Sequence, residues 1–184
     1  MKVREIMGLA AEFAGRRDVA DFLGGRSAEN AAEGEREADT LLRCYNIAEN
    51  ELALDYLPIE RVQRFESEGL VPYTAFEAQP VEILSVRDGW GRRLPFTAAE
   101  QGVRVRAGSA EITYAVRPQV KKMDDDAEEC WRGNARLLAL CTACEYALMS
   151  GMFEAAAFLD KRCRDALACA CRERGGRMRP RRWV

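Results

Sequence analysis

Val103-Arg104-Val105-Arg106-Ala107-Gly108-Ser109-Ala110-Glu111-Ile112-Thr113-Tyr114-Ala115-Val116-Arg117-Pro118 is the stretch on which the fold class turns. Apolar and polar residues alternate through 103–106 and, in part, through 110–116. The second run is also rich in β-branched and aromatic side chains, so the hydrophobic period is two rather than 3.6. Ala107-Gly108-Ser109 has turn composition, which predicts that 103–106 folds back onto 110–116. Pro118 ends the run, because it has no N–H to give to a ladder.

Working outward, Val81-Glu82-Ile83-Leu84-Ser85-Val86 reads as another strand and Leu94-Pro95-Phe96 as a short one. Between them Asp88-Gly89-Trp90-Gly91 is a strong turn, with Gly89 expected to take the positive φ. From about 61 to 117 the expectation is a small antiparallel β-meander of three to five strands.

Helical spacing flanks this segment on both sides. Ile6, Leu9 or Ala10 and Phe13 mark a first amphipathic helix from about 3 to 14, and Val19, Phe22 and Leu23 a short turn or helix stopped by Gly24-Gly25. Ser27 is a candidate cap for the segment after it. The Ala/Glu-rich stretch to Gly34 has a weak pattern, and Leu41, Cys44 or Tyr45, Ala48, Leu52 and Tyr56 then make a clear stripe ended by Pro58. Downstream, Asp124, Asp125, Asp126, Glu128 and Glu129 place negative charge where a helix N-terminus favours it. Trp131, Ala135, Leu138, Cys141 or Thr142, and Glu145 or Tyr146 would be the buried face of that helix. A last helix from Met152, after Ser150-Gly151, carries Phe153, Ala156-Ala157, Leu159 or Asp160, Cys163, Leu167 and Ala170-Cys171 on its packing face, so 125–174 should be an antiparallel helix hairpin. The class predicted is α+β, predominantly α: one domain over 1–174, with helices at about 3–57 and the meander inserted, and a basic segment at 175–184.

Composition excludes several function classes. With 184 residues, 48% hydrophobic, the chain can bury a proper core. Charges at Lys2, Arg4 and Glu5 sit where a signal peptide's apolar run would be, and Glu145 interrupts the most apolar stretch, 137–149, well short of a membrane span; the reading is a soluble protein made in the cytosol. The absence of histidine removes His-dependent triads and mixed Cys/His zinc sites. No catalytic constellation emerges, and no cofactor is implied.

Seven cysteines are an odd number for a disulfide framework, and five of them lie in the last two helices. Cys141 and Cys144, with Cys169 and Cys171, could in principle supply four thiolates to zinc. However, Cys141-Thr142-Ala143-Cys144 is mid-helix, where nothing lowers a thiol pKa, and Cys169 and Cys171 point to different faces. Core filling is the favoured reading. The acidic run at 124–126 lacks calcium-loop spacing and reads as a helix start. Trp90, at a loop tip, is a candidate contact residue, set against folding back over its own sheet.

The sign of charge is segregated along the chain. Residues 161–184 hold nine Lys/Arg against two Asp/Glu, a local +7, which leaves −9 for residues 1–160 of a chain whose net charge is −2. Arg177, Arg179, Arg181 and Arg182 sit in a Gly/Pro-broken segment together with Trp183. That segment can contact phosphates, dock on an acidic protein surface or lie in solvent. Trp183 favours insertion into a partner's pocket, and the acidic body argues against a duplex-DNA binder.

Leu41-Leu42-Arg43-Cys44-Tyr45-Asn46, Leu54-Asp55-Tyr56-Leu57-Pro58, Pro80-Val81-Glu82-Ile83, Ala143-Cys144-Glu145-Tyr146, Gly151-Met152-Phe153-Glu154-Ala155-Ala156 and Arg181-Arg182-Trp183 carry a resemblance. In this order they resemble small prophage-encoded virion proteins of Gram-positive gut bacteria and, more distantly, phage head–tail connector (adaptor) proteins. The resemblance implies a non-enzymatic subunit of a homo-oligomeric ring beneath the portal. Its C-terminal arm would dock on the portal or a neighbouring neck or tail protein, with DNA passing transiently through the lumen. It also implies residence in the bacterial host cytoplasm during assembly and then in the virion. A strand segment as long as 61–117 departs from the smallest, mostly helical adaptors.

Overall fold

In the computed structural model, residues 1–26, 31–66, 69–106, 108–128 and 134–173 are described. They form helix, strand and helix in the expected order. The chain divides into two compact units, Met1–Tyr56 with the chain from Gln119 onward, and Leu57–Pro118.

In the helical unit, α1 (Val3–Phe13) buries Val3, Ile6, Met7, Ala10 and Ala11 along one stripe. α2 (Arg17–Leu23) is short, and α3 (Ala31–Glu51) runs on into a π-helical turn, Leu52–Tyr56. The weak Ala/Glu-rich stretch is thus helical. Its pattern is weak because α2 covers only part of it; Gly34 sits there because a Cβ at that position would come within 2.8 Å of the Phe22 ring. Ser27 lies outside the described residues.

α4 (Ala135–Met149) contacts α1, α3 and α5 (Phe153–Glu173). Leu137, Leu138, Ala139 and Leu140 are consecutively buried, as expected of a helix with neighbours on several sides rather than one buried stripe. α5 packs against α4 through Ala156, Leu159, Cys163, Leu167, Ala170 and Cys171, which confirms the hairpin. Phe153, expected on the buried face, is 70% exposed, because it is the first residue after the connection and lies off that stripe.

The helix expected from about 125 begins only at Ala135, and Trp131 lies outside the described residues. The acidic run serves another helix start. Val3 and Arg4 donate their N–H groups to the carbonyls of Asp125 (3.0 Å) and Met123 (2.9 Å), while Lys2 pairs with Asp126 (2.9 Å) and Arg4 with Asp124 (3.2 Å). Orphan donors in the first turn of α1 are satisfied by a segment more than a hundred residues away, a pairing that local capping rules do not reach.

Among the described residues the second unit holds six strands in two antiparallel sheets of three. β1 (Ile59–Glu66), β6 (Ser109–Val116) and β3 (Pro80–Asp88) form one, in the order β1-β6-β3; β2 (Gly69–Pro72), β5 (Gly102–Val105) and β4 (Phe96–Ala99) form the other, in the order β2-β5-β4. This corrects the consecutive meander: β5 pairs with β2 and β4, and β6 with β1 and β3. The sequence 103–109 therefore passes between sheets instead of closing a hairpin. The short strand expected over 94–96 instead runs over Phe96–Ala99. In the three-stranded sheet led by β1, Ile112, Tyr114 and Val86 face inward, and Phe76 stacks edge-on against Tyr114 at 4.9 Å and lies 4.7 Å from Phe65. Glu60, Val62, Arg64, Glu82 and Arg87 occupy the exposed face.

Candidate functional site

The best-built exposed feature is the turn that leaves β3. Asp88 Oδ1 accepts the backbone N–H of both Trp90 and Arg92, each at 2.9 Å, and Oδ2 accepts Arg92 Nε at 2.8 Å. The backbone closes the loop, with Asp88 N–H donating to the Arg92 carbonyl and Gly91 N–H to the Asp88 carbonyl, both at 2.9 Å. Gly91 carries the positive φ, +79°, not Gly89 as the sequence suggested. The loop is longer than a two-residue hairpin, so the left-handed position moves to its return limb. Burial works against the charge of Asp88, yet the Arg92 N–H, the Arg92 guanidinium and the Trp90 N–H together hold its pKa below the usual carboxylate range.

Trp90 stands out from this turn 86% exposed and does not fold back on its sheet. Arg87 and Arg93 bracket it as an antiparallel bridge pair. The turn locks its own backbone and leaves an indole and two guanidiniums facing solvent.

The thiols are arranged differently. Cys163 on α5 neighbours Cys141 and Cys144 on α4, and the Cys144 thiol donates to the Ala156 carbonyl at 3.6 Å. Sequence reasoning grouped Cys141 and Cys144 with Cys169 and Cys171 instead; Cys169 is exposed, beside Arg172 at 3.6 Å, while Cys171 is buried. Helix spacing places 163, 167, 170 and 171 on the packed stripe and leaves 169 off it, a signal that was present in the sequence. The Cys144 pKa is driven up by its hydrogen bond to Cys163, then by burial and by the carboxylates of Asp160 and Glu145. Hydrogen bonding to Cys141 and burial raise Cys163, against the opposing bond to Cys144. Burial, with Glu145 nearby, pushes Cys44 up to about 11. At neutral pH these sulfurs are protonated thiols, the state that neither attacks nor ligates. Among the described residues, no three His, Cys, Asp or Glu side chains are grouped so as to hold a metal ion.

A polar clasp that the sequence did not suggest ties the same unit together. Tyr146 on α4, fully buried, donates its hydroxyl to Glu37 Oε2 on α3 at 2.6 Å and accepts Arg16 Nη1 at 2.5 Å. Arg16 also grips Asp18 through Nε (3.0 Å) and Nη2 (2.8 Å). Burial and the Glu37 bond push the Tyr146 pKa up to about 12. Every group in the clasp has a partner, which identifies it as a pin between α3, α4 and the α1–α2 link.

Arg177, Arg179, Arg181, Arg182 and Trp183 lie outside the described residues. No helix among the described residues is long and apolar enough to cross a membrane. The chain matches no protein-family model and no curated protein sequence.

Proposed function

We propose that this chain is a non-enzymatic phage virion assembly protein, a head–tail connector (adaptor) subunit that oligomerises into a ring and docks through its basic segment at 177–184. The observation that carries the reading is the α4–α5 hairpin. It is a closely packed, rigid element that leads into a segment holding Arg177, Arg179, Arg181, Arg182 and Trp183. A ring subunit needs such a rigid helical body together with an arm that reaches its neighbour. Another neck or tail-completion role would draw on the same features, and the partner in either case is a virion protein rather than a membrane or a small substrate.

The test is deletion of residues 177–184. The truncated protein should remain folded and equally stable, while particles assembled with it should accumulate as untailed heads. Trp183→Ala should reproduce the defect, and replacing Arg181 and Arg182 by Ala should leave the residual association less sensitive to salt. Normal tailed particles from the truncated chain would remove the docking arm from the proposal. A reading of another class, a cytosolic thiol or zinc protein using Cys141, Cys144, Cys169 and Cys171, would be supported by stoichiometric zinc in protein purified under reducing conditions and lost when Cys141 and Cys144 are replaced by Ala.

A further inference from the structure

We infer that the hairpin tip of the second unit, formed by Trp90 with Arg87 and Arg93, is a contact site for single-stranded nucleic acid. The inference rests on the geometry of that unit alone and is independent of the assembly role proposed above.

The register of the sheet places a single row of charged side chains across its exposed face. Arg64 on β1 stands opposite Glu111 on β6, Glu111 opposite Arg87 on β3, and Arg87 opposite Arg93 on the returning limb. At ordinary strand separations this row spans about 14 Å. Its one carboxylate, Glu111, lies 3.7 Å from Arg64. Arg87 and Arg93 are therefore neighbours of like sign with no ion pair among the described residues. Like charges directly opposite one another destabilise a strand pair, so the arrangement is unfavourable until an anion lies between them. Among the described residues, Asp88 forms its ion pair with Arg92 and none with Arg87 or Arg93, its oxygens accepting from Trp90 N–H, Arg92 N–H and Arg92 Nε.

Trp90 decides which kind of anion fits. An indole that anchors a protein interface sits among apolar neighbours that exclude water. Here the neighbours in sequence are Gly89, Gly91 and Arg92, and the ring is 86% exposed. An exposed indole at the tip of a turn whose closing pair is Arg87 and Arg93 matches a base stacked on the ring and its phosphates on the arginines. A duplex fits poorly. Its bases are already stacked, and as a rigid rod it would be held against Glu60 and Glu82, which flank Ala115 on the same face. A single strand bends, and needs only the tip.

The experiment titrates a short, fluorescently labelled oligothymidylate with the full chain at low salt and follows the anisotropy of the label. Binding should appear, weaken steeply with added salt, and be much weaker for the duplex of the same oligomer with oligoadenylate. Trp90→Ala should lower affinity roughly tenfold or more, with Trp90→Phe recovering most of it. Replacing Arg87 and Arg93 by Ala should reduce the slope of log affinity against log salt by about 1–2. Trp90 and both arginines are exposed, so circular dichroism of the variants should match the parent. Absence of binding overturns the inference. Unchanged affinity in the Trp90→Ala and Arg87→Ala/Arg93→Ala proteins would place binding elsewhere, for example on residues 177–184, and also overturn it. Preferential binding of polyglutamate would assign the tip to an acidic protein partner instead.

Discussion

The two units treat their polar side chains in opposite ways. In the helical unit they close on one another: Arg16, Tyr146, Glu37 and Asp18 form a complete set, and Cys144 donates its thiol to the Ala156 carbonyl inside the α4–α5 interface. In the β unit, Asp88 spends its carboxylate on a turn that holds Trp90, Arg87 and Arg93 outward, with no ion pair for either arginine among the described residues. Satisfied buried groups hold a fold together, because unmaking one leaves another stranded in a low dielectric. Exposed groups without ion-pair partners, such as Arg87 and Arg93, contribute little to the core and are available to a ligand. The contrast separates residues that build this protein from residues that can act for it.

The largest effect should come from the helical core. Leu138→Ala removes a fully buried side chain from the helix that touches α1, α3 and α5, and should cost about 2–5 kcal/mol in denaturant unfolding. A loss below about 1 kcal/mol would mean that α4 is not the centre of its unit. Next comes the turn. Gly91→Val forces a β-branched residue into a left-handed conformation and should cost about 1–2 kcal/mol, whereas Gly89→Ala, which has open space around its Cβ and no positive φ, should be nearly neutral. Reversal of that order would return the strained position to Gly89.

Tyr146→Phe tests the clasp. It should cost about 0.5–1.5 kcal/mol, since Arg16 and Glu37 keep each other at 3.5 Å. The sign with pH follows from the raised pKa values. The folded state holds its protons on Cys44 and Tyr146 more tightly than the unfolded chain, so their contribution is intact below about pH 9 and is lost as pH rises toward about 11 for Cys44 and about 12 for Tyr146. Unfolding free energy should therefore fall steadily over that window, and the fall above about pH 10 should be shallower in the Phe variant. A curve flat to about pH 12 would show that the clasp and the buried thiol contribute nothing. Smallest of all, Trp90→Ala should change stability by less than about 0.5 kcal/mol, as befits an indole outside the core. A large loss would turn Trp90 from a contact into a structural residue and erase the contrast between the units.

What the sequence determined by itself is what local spacing encodes. Period-3.6 stripes placed α1, the latter part of α3 and the α4–α5 hairpin, and alternation placed β3, β5 and β6, because a helix or a strand fixes which neighbours in sequence share a face. Helix position also marked Cys163 and Cys171 as core residues, and the turn residues around Trp90 marked a loop tip. Only the tertiary structure decided which strand lies beside which, and so divided one apparent meander into two sheets. Pairing depends on contacts between residues far apart in sequence, and β5 carries no local mark that prefers β2 and β4 over β6. The same reason sent Asp124 and Asp126 to the start of α1 rather than of α4, brought Cys163 to Cys141 and Cys144, and set Arg87 beside Arg93 in one row with Arg64. Each of these is a long-range or cross-strand meeting whose energy is realised only when the chain closes the loop between them.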